Sequence, residues 1–261
     1  MTDAPGSMAS AGRRLLEELS DRAMPGSDRQ RLGPWVLRAS RGATSRANTA
    51  WAAGRSDWPM MQACDQVERW YRDRNLVPGF QIWNGTDALL IAELDRRGYR
   101  SAEGALVLTR RLTGRDDSTA MDESDARLAP SMQVVSTALP TAQFFELVVE
   151  ADRLQELLDS SLPKCFVTLS DGSGRLLGGG AGVLDGGQLG IFSMTTLVAA
   201  RRLGVARRVL DEVTEWGISG GATASWLQVM ASNTPATRLY SSTGFERAHE
   251  YHYRLAATER R

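Results

Sequence analysis

The amino-acid sequence predicts an α/β protein: a mixed, largely antiparallel sheet flanked by helices. Three observations carry this expectation. Short apolar runs with strand alternation recur between segments of helical periodicity along the whole 261 residues. Two tight-turn signals, Asp171-Gly172-Ser173-Gly174 and Asp185-Gly186-Gly187, separate three consecutive strand-like segments. The third of these runs through Arg201-Arg202-Leu203-Gly204-Val205-Ala206 into a helix whose Val205, Val209, Val213 and Trp216 share one stripe.

Taken in order, helix signals begin at Arg13, with Leu15, Leu16 and Leu19 together, and Met24-Pro25-Gly26-Ser27-Asp28 breaks them. Residues 35–39 read as a strand. Residues 60–75 form an amphipathic helix with Met61, Cys64, Val67 and Tyr71 on one face. A strand over 80–83, a helix over 87–97 stopped by Gly98, and a strand over 105–110 follow. Residues 113–130 hold few large apolar side chains and read as a linker. Beyond it come a helical stretch over 144–160, strands over 164–169, 176–184 and 189–197, and the helix over 204–216. A strand over 226–230, a short helix over 235–242 and a closing strand over 250–255 complete the pattern. The chain therefore divides into a tail and helix (1–30), an N-terminal half (31–112), the linker, and a C-terminal domain (131–261).

Composition narrows the function. Formal net charge is zero, which disfavours a nucleic-acid partner. Lys164 is the single lysine, so a Schiff-base mechanism has one residue to draw on. Cys64 and Cys165 are too few and too far apart for a disulfide framework or a metal cluster, and no metal is expected. The first ten residues lack a signal-peptide apolar core, and no run is long enough to span a bilayer. The expectation is a cytoplasmic protein without a membrane partner. The oligomeric state is open.

The chemistry centres on residues 189–208. A strand leading through Arg201-x-x-Gly204-x-Ala206 into a helix presents consecutive backbone N–H groups at a helix start, where they can cradle a pyrophosphate. Gly204 lets the backbone approach closely, Ala206 keeps the next turn small, and Arg201, Arg202 and Arg207 add charge. Gly178-Gly179-Gly180 has no helix after it and reads instead as a bulged or flexible strand.

Downstream, the strand Trp226-Leu227-Gln228-Val229-Met230 leads to Asn233, Pro235-Ala236, Leu239-Tyr240 and Gly244-Phe245. With the loop, this block resembles the GNAT superfamily of N-acetyltransferases over roughly residues 165–254. The resemblance implies acetyl-CoA as acetyl donor. It implies that the backbone of Thr196, Leu197 and Val198 pairs with the pantetheine arm, although proline is the family's commonest residue at Val198. It implies that Arg202, Leu203, Gly204, Val205, Ala206 and Arg207 hold the pyrophosphate. Asn233 stands where the family contacts the cofactor or a water, and it reads equally as a helix cap. Tyr240 stands at the position of the general acid that protonates the departing thiolate. The implied reaction is direct attack by a primary amine in a ternary complex, with a backbone N–H near Thr196 holding the oxyanion. The base is open: Glu146, Glu150, His249 and His252 are candidates, and deprotonation through water needs none of them.

The N-terminal half lacks a second cofactor loop and reads as a degenerate GNAT-like half. Trp35-x-x-Arg38, Gly42-x-Thr44-x-Arg46-Ala47-Asn48-Thr49 and Arg97-Gly98-Tyr99 resemble, more loosely, a two-part GNAT group of high-GC bacteria that includes proposed N-acetylglutamate synthases. That resemblance implies glutamate as acceptor, with Arg38 and Arg46 as carboxylate clamps. The residues themselves favour the other reading, that both arginines fasten the N-terminal half to the C-terminal half. The alternatives are another small amine, a protein lysine, or an acyl-CoA-binding regulatory module without turnover.

Overall fold

A computed structural model describes residues 10–40, 44–113, 132–148 and 151–257. The linker expected over 113–130 lies outside the described residues except for Thr113, as does Glu150. The elements run α1 (Ser10–Ala23), β1 (Asp28–Leu32), β2 (Trp35–Ala39), β3 (Ala50–Trp51), α2 (Met60–Arg72), β4 (Gly79–Trp83), α3 (Ala88–Arg96) and β5 (Arg100–Arg111). They continue with β6 (Gln133–Thr137), α4 (Ala142–Leu147), α5 (Ala151–Leu158), β7 (Lys164–Ser170), β8 (Leu176–Asp185) and β9 (Gln188–Thr196). Last come α6 (Val205–Ser219), β10 (Ala224–Val229), α7 (Thr234–Ser242) and β11 (Glu246–Leu255).

The strands form one sheet in the order β1-β2-β3-β4-β11-β5-β10-β9-β8-β7-β6. Only β3/β4 and β9/β10 are parallel pairs. The mixed, largely antiparallel sheet predicted from the sequence is the observed one. The breaker at 24–28 leads directly into β1, and β6 adds an edge strand that the polar composition around it concealed.

The element order β1-β2-β3-α2-β4-α3-β5 repeats as β7-β8-β9-α6-β10-α7-β11. The match is close: Asp87 and Asn233 are helix N-caps 146 residues apart (233 − 87), and Gly98 and Gly244 share the same spacing (244 − 98). Both glycines have positive φ, and in both turns the next N–H returns to the helix: Tyr99 to Leu94 O and Phe245 to Tyr240 O, each 3.0 Å. The last strand of each repeat sits inside the other. β5 lies between β10 and β11, and β11 lies between β4 and β5. The closing strands thus remove an open edge from each half.

Packing on the two faces follows from residue size. On one face, Val205, Val209 and Val213 of α6 lie over the glycines of β8. A Cβ on Gly178, Gly180 or Gly182 would fall 2.8–2.9 Å from the methyls of these three valines. The run Gly178-Gly179-Gly180 therefore lets a helix sit close to a strand, burying valines worth about 1.5–3 kcal/mol each. The opposite face is covered by α1, α4 and α5 through Leu16, Leu19, Phe144, Leu154 and Leu157, which meet Phe166, Phe192, Trp226, Tyr251 and Tyr253. A third cluster packs α2 and α3 on the N-terminal strands through Trp35, Tyr71, Phe80, Leu90 and Leu94. Among the described residues no helix is long and apolar enough to cross a membrane.

A fragment of residues 131–261 lacks β5 and exposes facing edges on β10 and β11. It is expected to show no cooperative thermal transition by circular dichroism until residues 1–112 are co-expressed with it. A monomeric fragment that melts cooperatively alone would contradict the exchange.

Candidate active site

The site begins where β9 and β10 part. Their parallel pairing runs from Ala224↔Gln188 to Leu227↔Ile191 and stops, while β9 continues to Thr196 and β10 to Val229. The β8/β9 register slips between Gly179↔Thr195 and Ala181↔Phe192, giving β9 one extra residue. Ser193, in that bulge, has φ +51°. A non-glycine residue in this region is strained by about 1 kcal/mol or more, and such strain gathers at functional sites. The bulge swings β9 away and leaves its β10-facing backbone open.

A cavity of about 480 Å³ fills the gap. It passes through the sheet. On the α6/α7 side its wall is Asn233, Ala236 and Tyr240; on the α1/α5 side it is Met24, Leu157, Tyr251, Tyr253 and the segment Thr44–Arg46. Phe192, Ser193, Met194 and Thr195 form one flank, and Glu103, Gly104 and Gln228 lie opposite.

Tyr240 is nearly buried against Phe245, with ring centroids 5.8 Å apart. Burial pushes its phenol up to about 12, and its hydroxyl makes no hydrogen bond among the described residues. It therefore stays protonated at neutral pH with its proton available to the cavity. Asn233 caps α7, its Oδ1 accepting from Ala236 N–H at 3.3 Å, and also lines the cavity.

The loop after β9 turns outward. Thr196 ends the strand, Leu197 N–H donates to Leu177 O, and Val198 opens a short 3-10 turn. Arg202 and Gly204 have φ +67° and +75°, so the chain reverses sharply into α6. The first helical hydrogen bond runs from Arg208 N–H to Gly204 O at 3.0 Å, which leaves the N–H groups of Val205, Ala206 and Arg207 before the ladder. No side chain caps this end and its first turn holds no acid. Arg207 pairs with Asp211 at 3.5 Å, whereas Arg201 and Arg202 have no ion-pair partner among the described residues. An uncapped helix start beside two free guanidinium groups fits a pyrophosphate.

The two arginines of the N-terminal half part company. Arg38 is 2 % exposed and does not reach the cavity, contrary to a clamp role. Its guanidinium donates to Thr49 O (3.2 Å), Asp21 Oδ1 (3.4 Å) and Gln81 Oε1 (2.8 Å), so its donors are consumed inside the fold. Arg46 does line the cavity. Its Nη2 donates to Tyr251 Oη at 3.2 Å and its Nη1 meets Met24 Sδ at 3.4 Å, while Nε is buried without a partner. Tyr251 Oη in turn donates to Gln228 Oε1 at 3.1 Å. The segment is held by Thr44 Oγ1, which donates to Glu156 Oε2 of α5 at 2.9 Å.

None of Glu146, His249 and His252 lines the cavity. Glu146 and His252 are exposed. His249 is buried, its Nε2 hydrogen-bonded to Glu17 Oε1 of α1 at 2.6 Å. Glu103 does line it, and the sequence reading missed it because alternation before Ala105 is broken by Gly104. Both cysteines are buried, their thiols pushed up to about 12 (Cys64) and about 11 (Cys165), which makes them inert. No metal-ligand cluster occurs among the described residues.

The splayed parallel pair, the open helix start and the tyrosine beside the gap define a GNAT-type N-acetyltransferase. The chain belongs to the family described as "Probable histone acetyltransferase Rv0428c C-terminal", whose pattern matches residues 10–254. It is 26% identical over 247 residues to the "Uncharacterized N-acetyltransferase YobR" of Bacillus subtilis, covering 93% of this chain and 98% of that one. It is 27% identical over 257 residues to the "Probable histone acetyltransferase Rv0428c" of Mycobacterium tuberculosis, covering 97% of this chain and 76% of that one. In fold it is similar to a GCN5-related N-acetyltransferase from Kribbella flavida, with TM-score 0.65 at 15% identity and 97% and 98% of the two chains covered. A tandem GNAT protein from the clavulanic acid biosynthesis pathway gives 0.61 at 11%, covering 98% and 92%.

The N-terminal repeat carries different residues at the corresponding positions. Trp58 stands 146 residues before Gly204 (204 − 58), Pro59 caps α2, and Leu94 takes the place of Tyr240. Replacing Arg38 with alanine leaves Thr49 O and Gln81 Oε1 without their buried donor, while Asp21 keeps Arg29, so Arg38→Ala is expected to lower stability by about 2–4 kcal/mol in urea unfolding, with the acceptor KM of the remaining folded protein unchanged.

Proposed function

We propose that this chain moves the acetyl group of acetyl-CoA onto a small primary amine held in the cavity, by direct attack in a ternary complex. The observation that carries the reading is the cavity itself, which joins the Tyr240 side of the sheet to the Arg46 side through the β9/β10 gap. The donor would enter from the α6 side, with its pyrophosphate on Arg202, Leu203, Gly204, Val205, Ala206 and Arg207. Its pantetheine arm would run along the free edge at Thr196, Leu197 and Val198 and past Asn233. The amine would come from the opposite side. Tyr240 gives its proton to the leaving thiolate, and open backbone N–H groups of β9 hold the oxyanion. Residues 131–261 would carry the catalytic elements, and residues 31–112 the acceptor side.

An amino acid is the best acceptor class. Among the described residues Arg46 has no carboxylate partner and its Nε is unpaired, which suits an acidic group on the substrate. Glutamate is the particular candidate taken from the sequence. Arg46 is the one cation among the described lining residues, so one carboxylate has a clear partner and a second does not. The name of the mycobacterial relative favours a second reading, a protein lysine. The two readings separate on a panel of amino acids, simple amines and histone-tail peptides scored by CoA release. Arg46→Ala is expected to raise KM about 10- to 100-fold for acidic acceptors and to leave KM for simple amines unchanged.

Tyr240→Phe is expected to lower kcat by about 10²-fold or more while acetyl-CoA binding by calorimetry is unchanged. The raised phenol keeps its proton until pH nears about 12, so Tyr240 should produce no alkaline loss of kcat below about pH 10. Unchanged turnover in the variant would remove the general-acid role. In the loop, Gly204→Val adds a side chain at φ +75° and is expected to weaken acetyl-CoA binding about 10-fold or more and, through backbone strain, to lower Tm by about 2–4 °C.

A further inference from the structure

We infer that Glu103, carried on the inserted strand β5, is the base that takes the proton from the incoming amine; this rests on the acetyltransferase reading of the cavity. An amine is an ammonium ion at neutral pH and cannot attack a carbonyl until it loses a proton. Among the described lining residues, Thr44, Ser45, Ser193, Thr195, Gln228 and Asn233 are uncharged, and Arg46 and the tyrosines carry protons they cannot replace with another. Glu103 is the one carboxylate.

Its placement has a structural cause. The β5/β11 register passes from Ala105↔Tyr251 to Ala102↔Tyr253, so Glu103 and Gly104 together face His252. This is a bulge in β5, and bulges re-aim side chains. A Cβ on residue 104 would lie 1.9 Å from Tyr251 O, so only glycine permits it. Ala102 and Ala105 both pack on the α1/α5 side, and the bulge turns Glu103 towards the β10–α7 connection. There Ser232 Oγ donates to Glu103 Oε1 at 2.6 Å, fixing the carboxylate beside Asn233. Its Oε2 makes no hydrogen bond among the described residues and is free to accept.

The other titratable groups nearby do not compete. His252, across the bulge on β11, does not line the cavity, and partial burial and Arg254 hold it below the usual imidazole range. Arg46, Tyr251 and Tyr253 lie on the other face, and Ser232 and Asn233 carry no charge. The proton balance closes. The ammonium gives one proton to Glu103; the nitrogen lone pair forms the C–N bond; the C–S bond breaks as the thiolate takes the Tyr240 proton. The tyrosinate then recovers the second nitrogen proton, and Glu103 releases its own to solvent.

The test compares wild type, Glu103→Gln, Glu103→Asp and Ser232→Ala over a range of pH, with the best amine of the panel and with acetyl-CoA binding measured separately. Glu103→Gln is expected to lose about 10²-fold in kcat/KM at neutral pH with acetyl-CoA affinity intact. Its deficit should shrink as pH approaches the amine's own pKa, because the amine then deprotonates unaided. Glu103→Asp should retain more activity than Glu103→Gln, and Ser232→Ala should lose several-fold. A Glu103→Gln variant with the wild-type rate and pH profile overturns the inference and leaves the acetyltransferase reading standing. So does a deficit that is constant with pH and accompanied by weaker acetyl-CoA binding, which assigns Glu103 to the donor. A wild type that binds acetyl-CoA and acetylates no amine overturns both.

Discussion

The pairing of β5 with β11 at the centre of the sheet is the constraint on which the other features rest. Each strand ends one structural repeat and completes the other, so β10 and β4 gain partners from across the molecule. The buried side chains on these strands, Val107, Ala248, Tyr251 and Tyr253 among them, join a core shared by both halves. Hydrophobic burial there is non-directional, but the backbone ladder is not, and it fixes the register of one repeat against the other. Separating the halves would break three ladders at once, β4/β11, β11/β5 and β5/β10, and leave unpaired strand edges.

The same exchange gives the cavity its composite wall. The β9/β10 gap and Tyr240 belong to the C-terminal repeat, Arg46 and Glu103 to the N-terminal one. The bulge at Ser193 opens the gap, and the bulge at Glu103–Gly104 turns a carboxylate beside it. Buried polar groups around α1 hold the frame. Glu17 pairs with His249 and accepts from Gln81, while Asp21 accepts from Arg38 and Arg29. Such pairs add little net stability but cost several kcal/mol when broken, so they specify where α1 docks.

Two repeats with one architecture have diverged at a few decisive positions. Gly204 adopts positive φ and leaves the helix start open, whereas Trp58 brings bulk and Pro59 removes an N–H donor from the matching helix start. Tyr240 and Leu94 occupy equivalent helix positions with equivalent return hydrogen bonds, yet only one bears a proton. The N-terminal repeat keeps the packing role of the fold and contributes side chains to the cavity wall.

Local signals in the sequence were enough for the class of fold, most element positions, the helix start at Gly204 and the helix that carries Tyr240. Each of these is written in contiguous residues: a 3.6-residue stripe, a glycine at a helix start, a tyrosine fixed from Gly244-Phe245. Arg38 and Arg46 looked alike because both follow strand-like or turn residues, and nothing local distinguishes a guanidinium enclosed by Asp21, Gln81 and Thr49 from one facing a cavity. Glu103 was hidden for a related reason. Its bulge exists only because β11, more than 140 residues later, pairs with β5 one residue out of step. The sequence by itself determined the loop and helix start proposed for the donor, since both are local structures. The wall proposed for the acceptor was decided by tertiary structure, because it is assembled from strands that meet only when the two repeats exchange them.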